Sequence, residues 1–127
     1  MQSIKVSEIM SRKLVTASED DTLSQVAEKM LQGRVSSVVI VSGKKVVGIV
    51  TEKDFVKFFA LRLSGDESVK LHMTRNVITV KMTTSVNDAK NIIVSQKIRH
   101  LPVVDQEGEL VGIVTARDLV ESIETLI

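Results

Sequence analysis

A chain of 127 residues with 17 Lys and Arg against 16 Asp and Glu carries a formal net charge of +1, which is neither the basic footprint of a nucleic-acid binder nor a polybasic membrane patch. Cysteine is absent, which removes disulfides, thiolate-held zinc and thiol nucleophiles together, and two histidines are too few for a histidine-rich metal site. Aromatics make up 2%, all of them phenylalanines at positions 55, 58 and 59, so the dispersed stacking platforms of a single-strand binder are missing.

The opening residues lack the apolar stretch of a secretory signal, and no run is long enough to span a bilayer, so a soluble, cytoplasmic protein is expected. A short apolar strand is predicted at about 14–17. Thr22 with Gln25 forms a capping-box pattern, and the helix it opens places Leu23, Val26, Ala27, Met30 and Leu31 on one face. Two β-branched runs, Val38–Val41 and Val46–Val50, flank the polar turn Ser42-Gly-Lys-Lys and read as a hairpin. A helix follows at about 52–63, then the polar, turn-rich stretch Ser64–Ser68. The order then starts again. A strand at about 77–80 leads to a helix opened by Ser85 with Asp88 and carrying Val86, Ala89, Ile92 and Ile93. Strands Leu101–Val104 and Leu110–Val114 and a helix at about 116–125 complete it, with Pro102 suited to a strand's first residues or an edge.

The two halves are copies. Met10-Ser-Arg-Lys-Leu-Val-Thr16 returns 63 residues later as Met73-Thr-Arg-Asn-Val-Ile-Thr79, and Gly48-Ile-Val-Thr-Glu-Lys-Asp54 returns as Gly112-Ile-Val-Thr-Ala-Arg-Asp118. A unit this long, present twice, points to an α/β chain of α+β type: two β-α-β-β-α repeats, 1–63 and 69–127, joined by 64–68 and packed about a pseudo-two-fold axis.

The recurring Thr-x-x-Asp has two readings. Thr at an N-cap with an acid three residues on is a capping box, and an Asp in the first turn suits the helix dipole. The same geometry leaves backbone N–H groups free, a Thr hydroxyl able to donate to a phosphate or sugar oxygen, and a carboxylate able to accept from the vicinal hydroxyls of a ribose. Thr51 with Asp54 and Thr115 with Asp118 are candidate site residues on the second reading and helix caps on the first, and the two readings are compatible. Arg99 and His100, side by side before a strand, form either a solvated pair or an oxyanion site with a fixed guanidinium and a titratable imidazole. Ser36 and Ser37 hold the matching positions in the first half, so the cationic contribution is one-sided.

With these motifs in order and doubled, the chain resembles tandem cystathionine-β-synthase (CBS) domains, the pair called a Bateman module, from about Val6 to about Glu121. The resemblance implies a regulatory module that binds AMP, ADP, ATP, S-adenosylmethionine or a related adenosine derivative in clefts between its repeats, with no other cofactor. It implies ribose and hydroxyl contacts from Thr51, Asp54, Thr115 and Asp118, and phosphate contacts from Arg99 and His100 before Leu101 and Pro102. It also implies an adenine wall from Leu14, Val15 and Thr16 and from Val77, Ile78 and Thr79. The first half departs from the family pattern: Ser36 and Ser37 stand in the phosphate positions, and Glu52 stands where the second half has Ala116. Both differences weaken anion binding there.

Enzymatic readings are poorer. Ser42-Gly-Lys-Lys lacks the upstream glycine of a P-loop, no nucleophile elbow surrounds Ser36, Ser37 or His100, and Asp54 and Asp118, weighed as a carboxylate pair for glycoside cleavage, each follow a Thr at a helix start. A non-enzyme is expected. The alternatives kept are a ligand-free interaction scaffold and a binder of S-adenosylmethionine or NAD. Phe55, Val56, Phe58, Phe59, Leu61 and Leu63, with Leu119, Val120, Ile123, Leu126 and Ile127, exceed one core-facing stripe per helix. They either fill the chain's own core or form a homodimer contact through the helices at about 52–63 and 116–125, with a separate regulated protein reading the output.

Overall fold

The computed structural model describes residues 4–126, with side chains described as far as Ser122. The first half runs β1 (Thr16–Ser18), α1 (Leu23–Gly33), β2 (Ser37–Ser42), β3 (Lys45–Thr51) and α2 (Glu52–Ala60). The second repeats it with β4 (Val80–Lys81), α3 (Val86–Gln96), β5 (His100–Val104), β6 (Leu110–Thr115) and α4 (Ala116–Leu126). Each half has a three-stranded sheet, β1-β2-β3 and β4-β5-β6, in which the first strand is parallel to the second and the third is antiparallel to it. A short 3-10 turn precedes each set, Val6–Glu8 and Val69–Leu71. No helix among the described residues is long and apolar enough to cross a membrane.

The compact units are not cut where the sequence repeats are. One comprises Val15–Val77; the other combines the described residues up to Leu14 with those from Ile78 on. Hydrophobic cores explain the exchange. Val69 and Met73 are buried with Leu23, Val26, Val38, Ile40, Val50 and Phe58, whereas Val6 and Met10 are buried with Val80, Ala89, Ile93, Leu101, Val103, Val114 and Leu119. Each leading segment thus completes the sheet unit of the other sequence copy. Glycine makes the room: a Cβ on Gly48 would fall on the Met73 sulfur, and a Cβ on Gly112 on the Met10 sulfur. Paired backbone bonds fix the same segments, Ser11 with Ile113 (2.8 and 3.0 Å) and Thr74 with Ile49 (3.1 and 3.0 Å). The polar stretch Ser64–Ser68 is bonded to the start of α1, Leu23 N–H donating to Glu67 O and Ser24 N–H to Gly65 O, both at 3.0 Å.

Several sequence expectations shift. The first strands begin at Thr16 and Val80, later than 14 and 77, because the chain passes between units at Leu14–Val15 and Val77–Ile78. Leu14, Val15, Val77, Ile78 and Thr79 therefore precede their strands. β4 is one residue shorter than β1 for a local reason. Val39 N–H donates to Val15 O in the first unit; Pro102, its counterpart, has no N–H to offer. Pro102 is the third residue of a central strand, not an edge, tolerated because that side of the ladder has run out. Helix α2 stops at Ala60 rather than about 63: Arg62 turns left-handed (φ 60°) and Leu63 N–H closes back on Phe58 O at 3.1 Å, folding Leu63 onto the core. Thr22 and Gln25 form a full capping box, while Ser85 accepts from Asp88 N–H without the reciprocal bond. Leu31 is 79% exposed, since it sits about 80° round the axis from Leu23, at the margin of the apolar stripe.

Candidate functional site

Each sheet ends in a strand-to-helix corner built from the repeated Gly-Ile-Val-Thr-x-x-Asp. In the Val15–Val77 unit, β3 ends at Thr51, opposite Ser37 on β2, and α2 starts at the next residue. In the other unit, β6 ends at Thr115, opposite His100 on β5, and α4 follows. Both Thr residues and both Asp residues are half-buried.

The four N–H groups at a helix start have no partner inside the helix, so their accounting defines the corner. Thr51 N–H donates to Asp54 Oδ2 at 2.8 Å, Glu52 N–H to Ser36 O at 3.0 Å, and Asp54 N–H to Thr51 Oγ1 at 3.4 Å. The second corner repeats this: Thr115 N–H to Asp118 Oδ2 at 2.8 Å, Ala116 N–H to Arg99 O at 3.0 Å, and Asp118 N–H to Thr115 Oγ1 at 3.2 Å. Three of four are matched. No acceptor among the described residues faces the N–H of Lys53 or of Arg117. Both capping boxes therefore form, as the bland reading of the motif requires, and they engage only one oxygen of each carboxylate. Oδ1 of Asp54 and of Asp118 receives no donor from a described residue. Each corner thus offers an acceptor, a hydroxyl and an amide donor close together, a combination suited to a polyhydroxy ligand with an electronegative tail.

The corners differ in one hydroxyl and in their neighbours. Thr51 Oγ1 also donates to Asp54 Oδ2 at 3.2 Å, whereas Thr115 Oγ1 only accepts among the described residues. Arg99 is exposed and His100 half-buried; Ser36 is half-buried and Ser37 buried. Arg117 is turned along its helix to Glu121, at 3.0 Å. So the structure gathers Arg99, His100, Thr115 and Asp118 at one corner, and Ser36, Ser37, Thr51 and Asp54 at the other.

Leu101 and Pro102 are fully buried and present no side-chain surface to a ligand; they belong to the sheet. Val15 packs on the first core and Ile78 on the second. Leu14, Thr16 and Val77 are half-buried and Thr79 is exposed. Sequence reasoning missed the Ser36 and Arg99 carbonyls that cap the helix starts, and side-chain patterns carry no signal for a backbone acceptor. Two open hollows, about 650 and 570 Å³, lie at the opposite, hairpin ends of the sheets. The larger mixes Glu19, Asp20 and Asp21 with Lys29 and Lys70, and Lys29 is already engaged with Thr16 O (2.9 Å) and Asp21 (3.5 Å). Among the described residues no group of three or more acidic, His or Cys side chains could hold a metal ion.

The sequence profile described as CBS domain matches residues 6–61 and again 67–125. An uncharacterized protein of Methanopyrus kandleri, MK0525, is 39% identical over 124 residues, covering 95% of this chain and 63% of its own length. The chain thus spans less than two thirds of that relative. Among solved structures, the CBS domain pair of protein MJ0100, in complex with 5′-methylthioadenosine and S-adenosyl-L-methionine, superposes with a TM-score of 0.91 at 28% identity, covering 99% of this chain and 100% of that one. The CBS domain protein PAE2072 of Pyrobaculum aerophilum, complexed with AMP, does so at 0.87 and 30% identity, covering 96% and 99%.

Proposed function

From the premise that this chain belongs to the CBS domain family, as a pair of such domains, we propose that it is a regulatory module that binds adenosine derivatives, with AMP, ADP or ATP as the leading ligands. The observation that carries the reading is the open carboxylate oxygen beside a capped Thr in both units, since the cap alone needs one oxygen. Asp54 and Asp118 accept from the ribose hydroxyls; the Lys53 and Arg117 amides and the Thr115 hydroxyl donate to oxygens of the ligand, and Thr51 Oγ1, its proton directed to Asp54, accepts. The AMP bound by PAE2072 and the methylthioadenosine and S-adenosylmethionine bound by the MJ0100 pair support the ligand class. Regulation follows from population shift. A ligand favours whichever state of the chain it holds more tightly, by no more than that difference in affinity. The module performs no chemistry itself, and a separate regulated protein reads its state.

The dimer belongs to the same proposal. Of the apolar surplus on the last helices, Phe58 and Leu119 are buried and Phe55 and Leu63 partly so. Val56, Phe59, Leu61 and Val120 stay 57–87% exposed, while the side chains of Ile123, Leu126 and Ile127 lie outside the described residues. Val56 and Phe59, one turn apart on α2, are the contact for a second copy, and sedimentation across a concentration series tests it.

A thermal-shift panel of AMP, ADP, ATP, S-adenosylmethionine, adenosine and NAD tests the ligand class. At about 100-fold excess over Kd a true ligand adds about 2.7 kcal/mol to stability. A flat panel, with a dimer still present, replaces the sensor by a scaffold.

A further inference from the structure

Resting on the ligand reading just given, we infer that the two corners sort adenosine derivatives by charge: the Arg99 corner takes a 5′-phosphorylated ligand and the Ser36 corner one that is uncharged at its 5′ end. Residue pairs 36/37 and 99/100 hold identical places. The carbonyl of the first caps the helix (Glu52 N–H to Ser36 O, Ala116 N–H to Arg99 O), and the second is the ladder partner of the corner Thr. Whatever a ligand's tail meets at one corner, it meets the counterpart residue at the other.

The counterparts differ in charge. The backbone places Arg99, His100 and Ala116 next to Thr115 and Asp118, and Ser36, Ser37 and Glu52 next to Thr51 and Asp54. Lys53 and Arg117 occupy matching exposed positions; Arg117 is paired with Glu121 at 3.0 Å, which leaves Lys53 as the cation set against Glu52 and Asp54 at the Ser36 corner. A phosphate brought to the Ser36 corner faces the carboxylates of Asp54 and Glu52 with only the Lys53 N–H and two serine hydroxyls as local donors, so much of its hydration is lost against repulsion. At the Arg99 corner a guanidinium on the neighbouring residue offers it a planar fork of N–H donors. The hydroxyls point the same way. Thr51 Oγ1 directs its proton to Asp54 Oδ2 at 3.2 Å, while Thr115 Oγ1 only accepts, from Asp118 N–H, so its proton is available to an anion. Ribose holding, by contrast, is alike at both corners, because each keeps a carboxylate oxygen open.

Isothermal titration of the full chain with AMP and with adenosine tests this, using Asp54→Asn, Asp118→Asn and Arg99→Ala. Asn retains an oxygen for the Thr N–H while replacing the open acceptor by an NH₂ group, and unfolding curves of each variant check the fold. Asp118→Asn is expected to weaken AMP at least tenfold, whereas Asp54→Asn leaves AMP within about twofold. Arg99→Ala should cost AMP about 10–100-fold and adenosine within about twofold, the worth of a charge-assisted bond. With AMP saturating, adenosine should still bind, and Asp54→Asn should abolish that second event. Equal AMP losses in the two Asn variants, or equal losses of AMP and adenosine in Arg99→Ala, overturn the sorting. An unaltered chain that binds neither compound instead overturns the ligand reading beneath it. Arg99 is exposed and supports no core, so its variant decides the matter even where an Asn variant fails to fold.

Discussion

Gly112→Ala is the sharpest test of how the second unit is assembled. The added Cβ would land on the Met10 sulfur, within 2.9 Å of its Cγ and 3.1 Å of Ser11 O. Met10 is 8% exposed and packed in the core with Val6, Leu101 and Val114, and the Ser11–Ile113 bonds pin its backbone. The methionine must therefore change rotamer in a filled space, a strain of about 1–3 kcal/mol. Unfolding entropy for 127 residues converts each kcal/mol into about 4 °C, so a fall of about 4–11 °C in Tm is expected. Met10→Ala alone leaves a cavity and costs about 2–5 kcal/mol. The double variant is the decisive one: with sulfur and Cγ gone, the new methyl occupies part of the vacated space, and only the 3.1 Å approach to Ser11 O persists. The two changes should fall short of additivity by about 0.5–3 kcal/mol. With neither Trp nor Tyr in the chain, circular dichroism at the helix band is the probe for urea and thermal unfolding. Strict additivity would refute the packing of the leading segment on β6.

Two further outcomes follow from local geometry. Helices α1 and α3 both end in a left-handed C-cap on a side-chain-bearing residue, Arg34 (φ 54°) and Lys97 (φ 55°). Lys97→Gly should raise stability by a few tenths to about 1 kcal/mol, and Gln96→Gly, one residue earlier and helical, should lower it by about as much; a lower Tm for both would contradict the cap. The Glu67 carboxyl is held below its ordinary value of 4.5, chiefly by the hydrogen bond from His72 at 2.8 Å, helped by Ser64 N–H and the charge of His72 against the opposing effect of burial. A depressed carboxyl stabilises the fold above its unfolded pKa and ceases to as pH falls through the folded one. The stability gap between the natural chain and Glu67→Gln should therefore be present at pH 6 and close below about 4.5, as urea midpoints would read it; a gap unchanged to pH 3 would assign the pair no electrostatic role.

Local patterns in the sequence were enough to place the corners. Thr at the end of a β-branched run with Asp three residues on leaves one solution for the helix start, and Thr51 and Thr115 adopt it with matching bonds. The repeat also exposed Met10 and Met73 as equivalents. What it could not expose is their partners: Gly112 lies about a hundred residues from Met10 and in the other sequence copy, and a 63-residue offset says which residues correspond, not which ones touch. Strand starts failed for a related reason. Val15 and Ile78 have the β-branched chemistry of a strand, but the chain is changing units there, and a ladder needs a partner strand as well as a propensity. The fate of the surplus apolar residues was likewise undecidable from pattern alone. Phe58 and Phe59 are adjacent and chemically identical, yet one is 7% and the other 87% exposed, because the helix turns by 100° between them.

The placement of the candidate corner on β6 gives it a mechanical neighbour. Within one strand, Gly112 admits Met10, Ile113 bonds both ways to Ser11, and Thr115 opens the helix that carries Asp118. β3 repeats the arrangement with Gly48, Ile49 and Thr51 against Met73 and Thr74. Three residues after Ser11, and three after Thr74, the chain leaves one unit for the other. The strand that presents the carboxylate corner is therefore the same strand that anchors each crossing. β6 holds Ser11 by two hydrogen bonds and ends at the Thr115–Asp118 cap, so the cap and the anchor of the crossing lie on one strand. Within Gly-Ile-Val-Thr-x-x-Asp, the glycine, the bridging isoleucine and the Thr–Asp cap answer three separate physical demands: close approach of a methionine, anchoring of the neighbouring segment, and capping of the helix start.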